Sequence, residues 1–370
     1  MDRRIPLVDL AAEYAEVGDS IEEAVLRCLR SGAYVLGPET ESFERELAAL
    51  VGTDFAVGVG SGTDALALSL RAIGVSPGDE VVTSVFTYFA TVEAILACGA
   101  RPVFVDIEAG GFGIDPEAVA AALTERTATV IPVHLFGRCV DMVRLSAVTE
   151  AAGVPVIEDA AQAVGASRSG RHAGGWGVAG CFSFYPSKNL AAAGDAGCIT
   201  TGDPELAERL RLLRSHGLDA DGRHLIVGTT SRLDALQAAV LRVKLPYLKA
   251  WGDARARNAR IYGEALAGCP GVVLPKAPDD EQIVWNQYTI RCRERERVEA
   301  ALAAAGVESR HYYARLACEE PALGDRRLPA SDFPEAARAR DESLSLPVRP
   351  SCPAETIREI ARVVRDELEG

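Results

Sequence analysis

The chain has 370 residues, enough for a large domain with a smaller companion rather than one small core. Its composition, 48% hydrophobic and 25% charged, is that of an ordinary soluble globular protein with little room for a long disordered tail. The formal net charge of −14 and the lack of a Lys/Arg run argue against a nucleic-acid partner, but not against a phosphorylated small ligand.

The first stretch reads as helical: Ile21, Val25 and Leu29 recur every four residues, and Phe43, Leu47 and Leu50 continue the pattern after Pro38. From about residue 55 apolar runs alternate with helical segments. The runs are FAVGV (55–59), EVVTSVF (80–86), RPVFVDI (101–107), ATVIPVHLF (128–136), VPVIED (154–159), GCFSFY (180–185) and GCIT (197–200). Asp115–Pro116 and Asp203–Pro204 each open a helix, an N-cap residue followed by proline at the first helical position. This alternation predicts an α/β fold, a mainly parallel seven-stranded sheet covered by helices on both faces, with ligands along one edge.

A long helical pattern from Leu233 past Trp251 contains Pro246, where a kink or break is expected. Beyond it come a strand-like QYTIRCR (287–293) and a helix over 294–306. The expected division is a large domain of residues 1–250 and a small C-terminal α+β domain of 251–370. No stretch of about 18 apolar residues marks a membrane span, and the opening MDRRIPLVDL has no apolar leader. The nine scattered cysteines form no CxxC pair and lack zinc spacing, so they read as buried reduced thiols in a cytoplasmic protein without a metal.

Three segments could carry chemistry. In GVGSGTDALALSL (58–70) a strand ends in small residues and a helix follows, an arrangement that suits a phosphate through Gly60, Gly62 and Thr63. In VIEDAAQAVGA (156–166) two carboxylates end an apolar strand, and strand alternation sends Glu158 and Asp159 in opposite directions. In FSFYPSKNL (182–190) Lys188 sits among Ser, Asn and small residues, where partial burial would lower the amine's pKa. Taken singly, these segments read equally as a capped turn, a capping Asp and a loop lysine. Their order changes the reading. A phosphate turn, an aromatic strand end at Phe86, Tyr88 and Phe89, a strand-end Asp and a strand-end Lys are the parts pyridoxal 5′-phosphate (PLP) chemistry requires. His134 is open between a place near the cofactor edge and a core histidine bonded to backbone; His172 and His224 read as loop residues.

The runs SGTDAL, FTYFATVEAILACGARPVFVDI, PVHLFG, IEDAAQAVGA, FSFYPSKNL, GDAG and SRLDALQAAVLRVKL, in that order, resemble the DegT/DnrJ/EryC1/StrS family of nucleotide-sugar aminotransferases. The likeness runs from Ile5 to about residue 350. It implies an aspartate-aminotransferase-like, fold-type I PLP enzyme. Lys188 would be the lysine that condenses with the cofactor and shuttles the proton, and Asp159 the partner of the pyridine nitrogen. Gln162 would bond the ring's hydroxyl region, Tyr88 would stack on the ring, and Gly62, Thr63 and Ser183 would bind the phosphate.

The resemblance further implies a homodimer with shared active sites and L-glutamate as amino donor. The acceptor would be a nucleotide-linked, dTDP-type keto-deoxysugar, aminated at C3. His216 matches a family position near the active site. Two departures stand out. Thr230 occupies the place of an Asn that reaches the phosphate from the partner subunit. In HYYARLACEEPAL (311–323), His311 and Tyr312 of the family's substrate loop persist while its prolines and later His are lost. Other readings are a PLP enzyme acting on another keto-sugar or keto-cyclitol, and a PLP-binding regulatory protein without turnover.

Overall fold

The computed structural model describes residues 4–370; Met1–Arg3 of the opening run lie outside the described residues. Two helices come first, α1 (Leu10–Ser31) and α2 (Pro38–Val51). Asp9 caps α1 by accepting from the Ala12 N–H at 3.0 Å, and Pro38 opens α2 where its missing N–H costs nothing.

Seven strands follow: β1 (Phe55–Val59), β2 (Glu80–Ser84), β3 (Arg101–Val105), β4 (Thr127–Ile131), β5 (Ile157–Asp159), β6 (Ala179–Ser183) and β7 (Gly197–Thr201). Ladders join them as β1-β7-β6-β5 and β4-β2-β3, and parallel bridges Val130–Val156 and Val133–Asp159 close the gap between β4 and β5. The result is the expected seven-stranded sheet. Only β7 runs against the others.

The helices between the strands are α3 (Gly62–Ala72), α4 (Ala90–Ala97), α5 (Pro116–Ala122) and α6 (Met142–Ala152), and α7 (Pro204–Leu213) follows the last strand. Asp115 and Asp203 cap α5 and α7 through the N–H groups of Glu117 and Glu205. Strand alternation feeds two cores. Ala56, Phe182 and Cys198 pack with Phe43 and Leu47 of α2, while Val57, Cys181 and Ile199 pack with Leu66 of α3 and Leu210 of α7.

Pro246 breaks the long helix as expected: α8 (Ala235–Lys244) ends, a single 3-10 turn spans Leu245–Tyr247, and α9 (Leu248–Ala265) resumes. The remaining chain builds a three-stranded antiparallel sheet of β8 (Val272–Val273), β9 (Tyr288–Cys292) and β10 (Ser343–Leu346) in that spatial order. Helices α10 (Arg295–Ala304), α11 (Pro334–Glu342) and α12 (Ala354–Glu369) accompany it. Tyr262 of α9 stacks on Tyr288 at 4.8 Å in a third core that also takes in Ile5 from the N-terminal segment. Residues Leu316, Leu323 and Phe333 instead pack against Val85, Phe86 and Phe104, beyond β2 and on β3. All nine cysteines are free thiols, eight buried and Cys98 half-buried. Among the described residues no helix is long and apolar enough to cross a membrane.

Candidate active site

In a parallel sheet the strands deliver their C-terminal ends to one edge, and here that edge carries polar residues in sequence after sequence. At the end of β5, Asp159 is 6% exposed. Its N–H donates to the Pro132 carbonyl and its carbonyl accepts from the His134 N–H, both at 2.9 Å, which fixes the strand end against the segment after β4. Oδ2 accepts from the Thr91 hydroxyl at 2.9 Å and Oδ1 from the Ala161 N–H at 3.1 Å. Asp159 therefore also serves as the capping residue of the turn that follows. Burial pushes its carboxyl above the usual aspartate range, against the pull of those two donors and of the Lys188 charge.

Lys188 lies in a turn beyond β6, its N–H donating to the Tyr185 carbonyl at 2.8 Å. The neighbouring Asn189 is buried and pinned, donating to the Val284 carbonyl at 2.8 Å and accepting from Asn286 at 3.1 Å. Burial pulls the Lys188 amine below its ordinary value, with the Asp159 carboxylate opposing. The two side chains feel each other's charge, and both line one cavity of about 440 Å³.

Gly62, Thr63, Tyr88, Gln162, Ser183 and Tyr312 line the same cavity. Gly62 opens α3 immediately after Ser61, whose hydroxyl caps the helix by accepting from the Asp64 N–H at 3.1 Å. A Cβ at Gly62 would stand 2.7 Å from the Ser183 Cβ, so α3 and β6 meet this closely only because no side chain is there. Tyr88 is 64% exposed at the mouth. Gln162 is oriented by the Phe136 N–H, which donates to its Oε1 at 2.7 Å.

Residues 16–365 match the DegT/DnrJ/EryC1/StrS aminotransferase family. The chain belongs to this family. A dTDP-3-amino-3,4,6-trideoxy-alpha-D-glucose transaminase of Streptomyces venezuelae is 44% identical, covering 94% of this chain and 92% of its own length. A UDP-N-acetyl-3-dehydro-alpha-D-glucosamine 3-aminotransferase of Acidithiobacillus ferrooxidans is 42% identical over 99% of this chain and 98% of its own. The crystal structure of DesV from S. venezuelae, in complex with a ketimine intermediate, superposes with a TM-score of 0.97 at 42% identity, covering 99% of each chain.

Two residues singled out from this aminotransferase's sequence lie elsewhere. His311 does not line the cavity; its Nε2–H donates to the Arg340 carbonyl at the end of α11, which turns the ring toward Arg293–Arg297 instead. Thr230 is exposed and bonded to His216 Nε2 at 2.6 Å, outside the cavity of its own chain. Of the two readings of His134, the structure selects the core histidine: it is fully buried, Nδ1 accepts from the Val140 N–H at 3.1 Å, and Nε2 donates to Glu158 at 2.8 Å.

Glu158 itself faces neither solvent nor a helix cap. It is fully buried, and backbone N–H groups of Gly174, Trp176 and Gly177 complete its shell. Tyr185, Asp195, Asn286, Gln287 and Tyr313 of the aminotransferase also line the cavity, beyond the residues its sequence pointed to. Asp195 sits in the GDAG motif, which was a usable signal. Tyr313 is brought in by the 311–323 loop, packs on Phe86 and Tyr88 at centroid distances of 5.8 and 6.3 Å, and accepts from Gln162 Nε2 at 3.3 Å.

Proposed function

We propose that this aminotransferase binds PLP between Asp159 and Lys188 and moves an amino group from L-glutamate to the C3 ketone of a dTDP-linked keto-deoxysugar. The observation that carries the reading is the pair itself: a buried carboxylate and a half-buried amine, electrostatically coupled, on one cavity. The names of the two relatives, one a dTDP-sugar and one a UDP-sugar enzyme and both acting at position 3, support the acceptor class.

The residues present fit the cofactor. The close approach of Gly62 to Ser183 forms a backbone-lined edge at the N-terminus of α3, where a phosphate would meet the helix's partial positive charge and the hydroxyls of Thr63 and Ser183. Asp159, desolvated beyond what its donors offset, fits a cationic ring nitrogen. Tyr88, exposed at the mouth, would cover the ring, and Gln162, already oriented through its Oε1, would bond the ring's hydroxyl side.

When bound, the cofactor supplies an electron sink for the charge left as the donor's Cα loses its proton. Asp159 keeps the ring nitrogen protonated, which strengthens that sink. Lys188, with an amine biased by burial toward its neutral form, takes the proton from the donor's Cα and returns it on the other side of the transfer. In a homodimer, Thr230 would reach the partner copy's phosphate with one hydroxyl donor. The unit that binds the cofactor would be residues 1–250, with 251–370 as the small domain, working in the cytoplasm.

The test is direct. Borohydride reduction of the PLP-loaded protein should fix the cofactor to the peptide containing Lys188, and glutamate should release 2-oxoglutarate once per cofactor when no acceptor is present. A Lys188→Ala protein should do neither. Wild-type protein that yields no 2-oxoglutarate and no Lys188 adduct would sink the reading.

A further inference from the structure

Tyr313 comes from the 311–323 loop, where this chain departs from the family's pattern, and the loop is tied down on both sides of it. On one side the Ser343 hydroxyl, at the start of β10, donates to the Tyr312 carbonyl at 2.7 Å. On the other the Ala317 N–H donates to the Val85 carbonyl at 3.0 Å, and Leu316 is fully buried in the cluster that holds Val85 and Phe86. The ring itself packs on Phe86 at 5.8 Å and meets Tyr312 edge-on at 5.5 Å. Its hydroxyl is thereby held at the part of the cavity that Gln162 lines.

A third group fixes which member of this pair donates. The Phe136 N–H donates to Gln162 Oε1 at 2.7 Å, so the amide cannot turn over without setting one N–H against another. Nε2 therefore faces Tyr313, and the phenol oxygen accepts from it at 3.3 Å. A phenol that accepts still has its own proton to give, and this one meets no acceptor among the described residues. Burial pushes the Tyr313 phenol above its ordinary range, the Gln162 bond opposing and the Asp159 charge adding to the rise, so the group remains a donor at neutral pH. Asp159, close enough for that charge to be felt, already accepts from Thr91 and Ala161. A half-buried donor of this kind is ordinarily matched by an acceptor.

We propose that the Tyr313 hydroxyl donates to the hydroxyl oxygen of the bound cofactor ring, beside the amide of Gln162. This rests on the reading that PLP lies between Asp159 and Lys188, and it gives the ring a second contact on the side assigned to Gln162. One donor comes from just beyond β5 and the other from the loop between α10 and α11, so two segments distant in the chain set the charge on one oxygen. A hydrogen bond to that oxygen favours its anionic form. The loaded site then gives up its proton at a lower pH than it would without the phenol.

The experiment compares PLP-loaded wild type with Tyr313→Phe, which keeps the ring packing and removes only the hydroxyl. Followed by visible absorbance across pH, the midpoint of the cofactor's spectral change should rise by about one pH unit in the variant, the size given by one hydrogen bond to a charged oxygen. PLP affinity, from fluorescence titration, should fall roughly three- to tenfold. A ring that served packing alone would move neither quantity, because phenylalanine fills the same space. Tyr313→Met carries the same test if the phenylalanine variant does not fold. Borohydride should still fix the cofactor to Lys188 in either variant. An unchanged midpoint in a variant that forms this adduct would overturn the proposal, and so would a change confined to the acceptor half-reaction, which would put the hydroxyl on the sugar instead. If the wild type itself forms no Lys188 adduct, the functional reading fails and this contact falls with it.

Discussion

Glu158 offers the sharpest quantitative test of how the site is held. Its Oε1 accepts from the N–H groups of Trp176 and Gly177 at 2.6 and 2.7 Å, and its Oε2 from Gly174 N–H and His134 Nε2, both at 2.8 Å. The imidazole cannot escape by changing tautomer, because its Nδ1 is committed to the Val140 N–H. Glutamine in this position keeps one carbonyl oxygen and presents an NH₂ to the remaining pair of donors. Whichever way the amide turns, two buried N–H groups lose their acceptor, at about 1–3 kcal/mol each. Removing a buried charge offsets part of this, so Glu158→Gln should destabilise the cofactor-free protein by about 3 kcal/mol. Urea unfolding at matched m-values reads the difference. A loss below about 1 kcal/mol would mean that the four bonds do not anchor the 174–177 loop to β5.

Other substitutions probe the cavity itself. Asp159→Asn should weaken PLP binding by about tenfold or more, measured by fluorescence titration, since an amide cannot hold the ring nitrogen protonated. Without cofactor the same change should be stabilising, with a definite pH dependence. Burial raises the folded-state value of Asp159 above 3.8, so folding takes up a proton there, and the wild type loses stability relative to the variant as pH rises from 3.8 through that folded value. Parallel melting curves across that window would refute it. Gly62→Ala should lower PLP affinity while leaving secondary structure intact, because the added methyl would lie 2.7 Å from the Ser183 Cβ; an unchanged affinity would remove α3 from the phosphate site. The rate of PLP capture should rise with pH to a midpoint below 10.5, since burial holds the Lys188 amine below that value. A midpoint at or above 10.5 would contradict the burial argument.

What local chemistry determines was legible in the chain. Asp115–Pro116 and Asp203–Pro204 marked helix starts because capping and the missing proline N–H act within one turn. Pro246 broke the long helix for the same reason. Seven cofactor-site candidates and Tyr312 converge on one cavity because strand ends in a parallel sheet converge on one edge. What depends on distant partners was not legible. Strand alternation separated Glu158 from Asp159, but the donors that fill the shell of Glu158 come from a loop 16–19 residues further on. His311 follows the same pattern, drawn off by a carbonyl 29 residues away. Asn286 and Gln287 reach the cavity from a segment with no local mark of chemistry.

The one antiparallel strand explains how the lysine comes to be where it is. β5 is the central strand of seven, and β6 beside it runs parallel, so both deliver their C-terminal ends to the ligand edge. A further parallel strand would send the chain after Ser183 back across the sheet to its opposite edge, as a crossover connection requires. Instead β7 pairs antiparallel to β6, with Gly197 opposite Ser183, so the whole connection through Tyr185, Lys188 and Asp195 stays at the ligand edge. That connection is short enough to be pinned at its middle by Asn189 to the Val284 carbonyl and Asn286, just before β9. Asp159, on a buried strand, and Lys188, on a tethered loop one strand away, are thus brought to one cavity by backbone topology, before any ligand contributes.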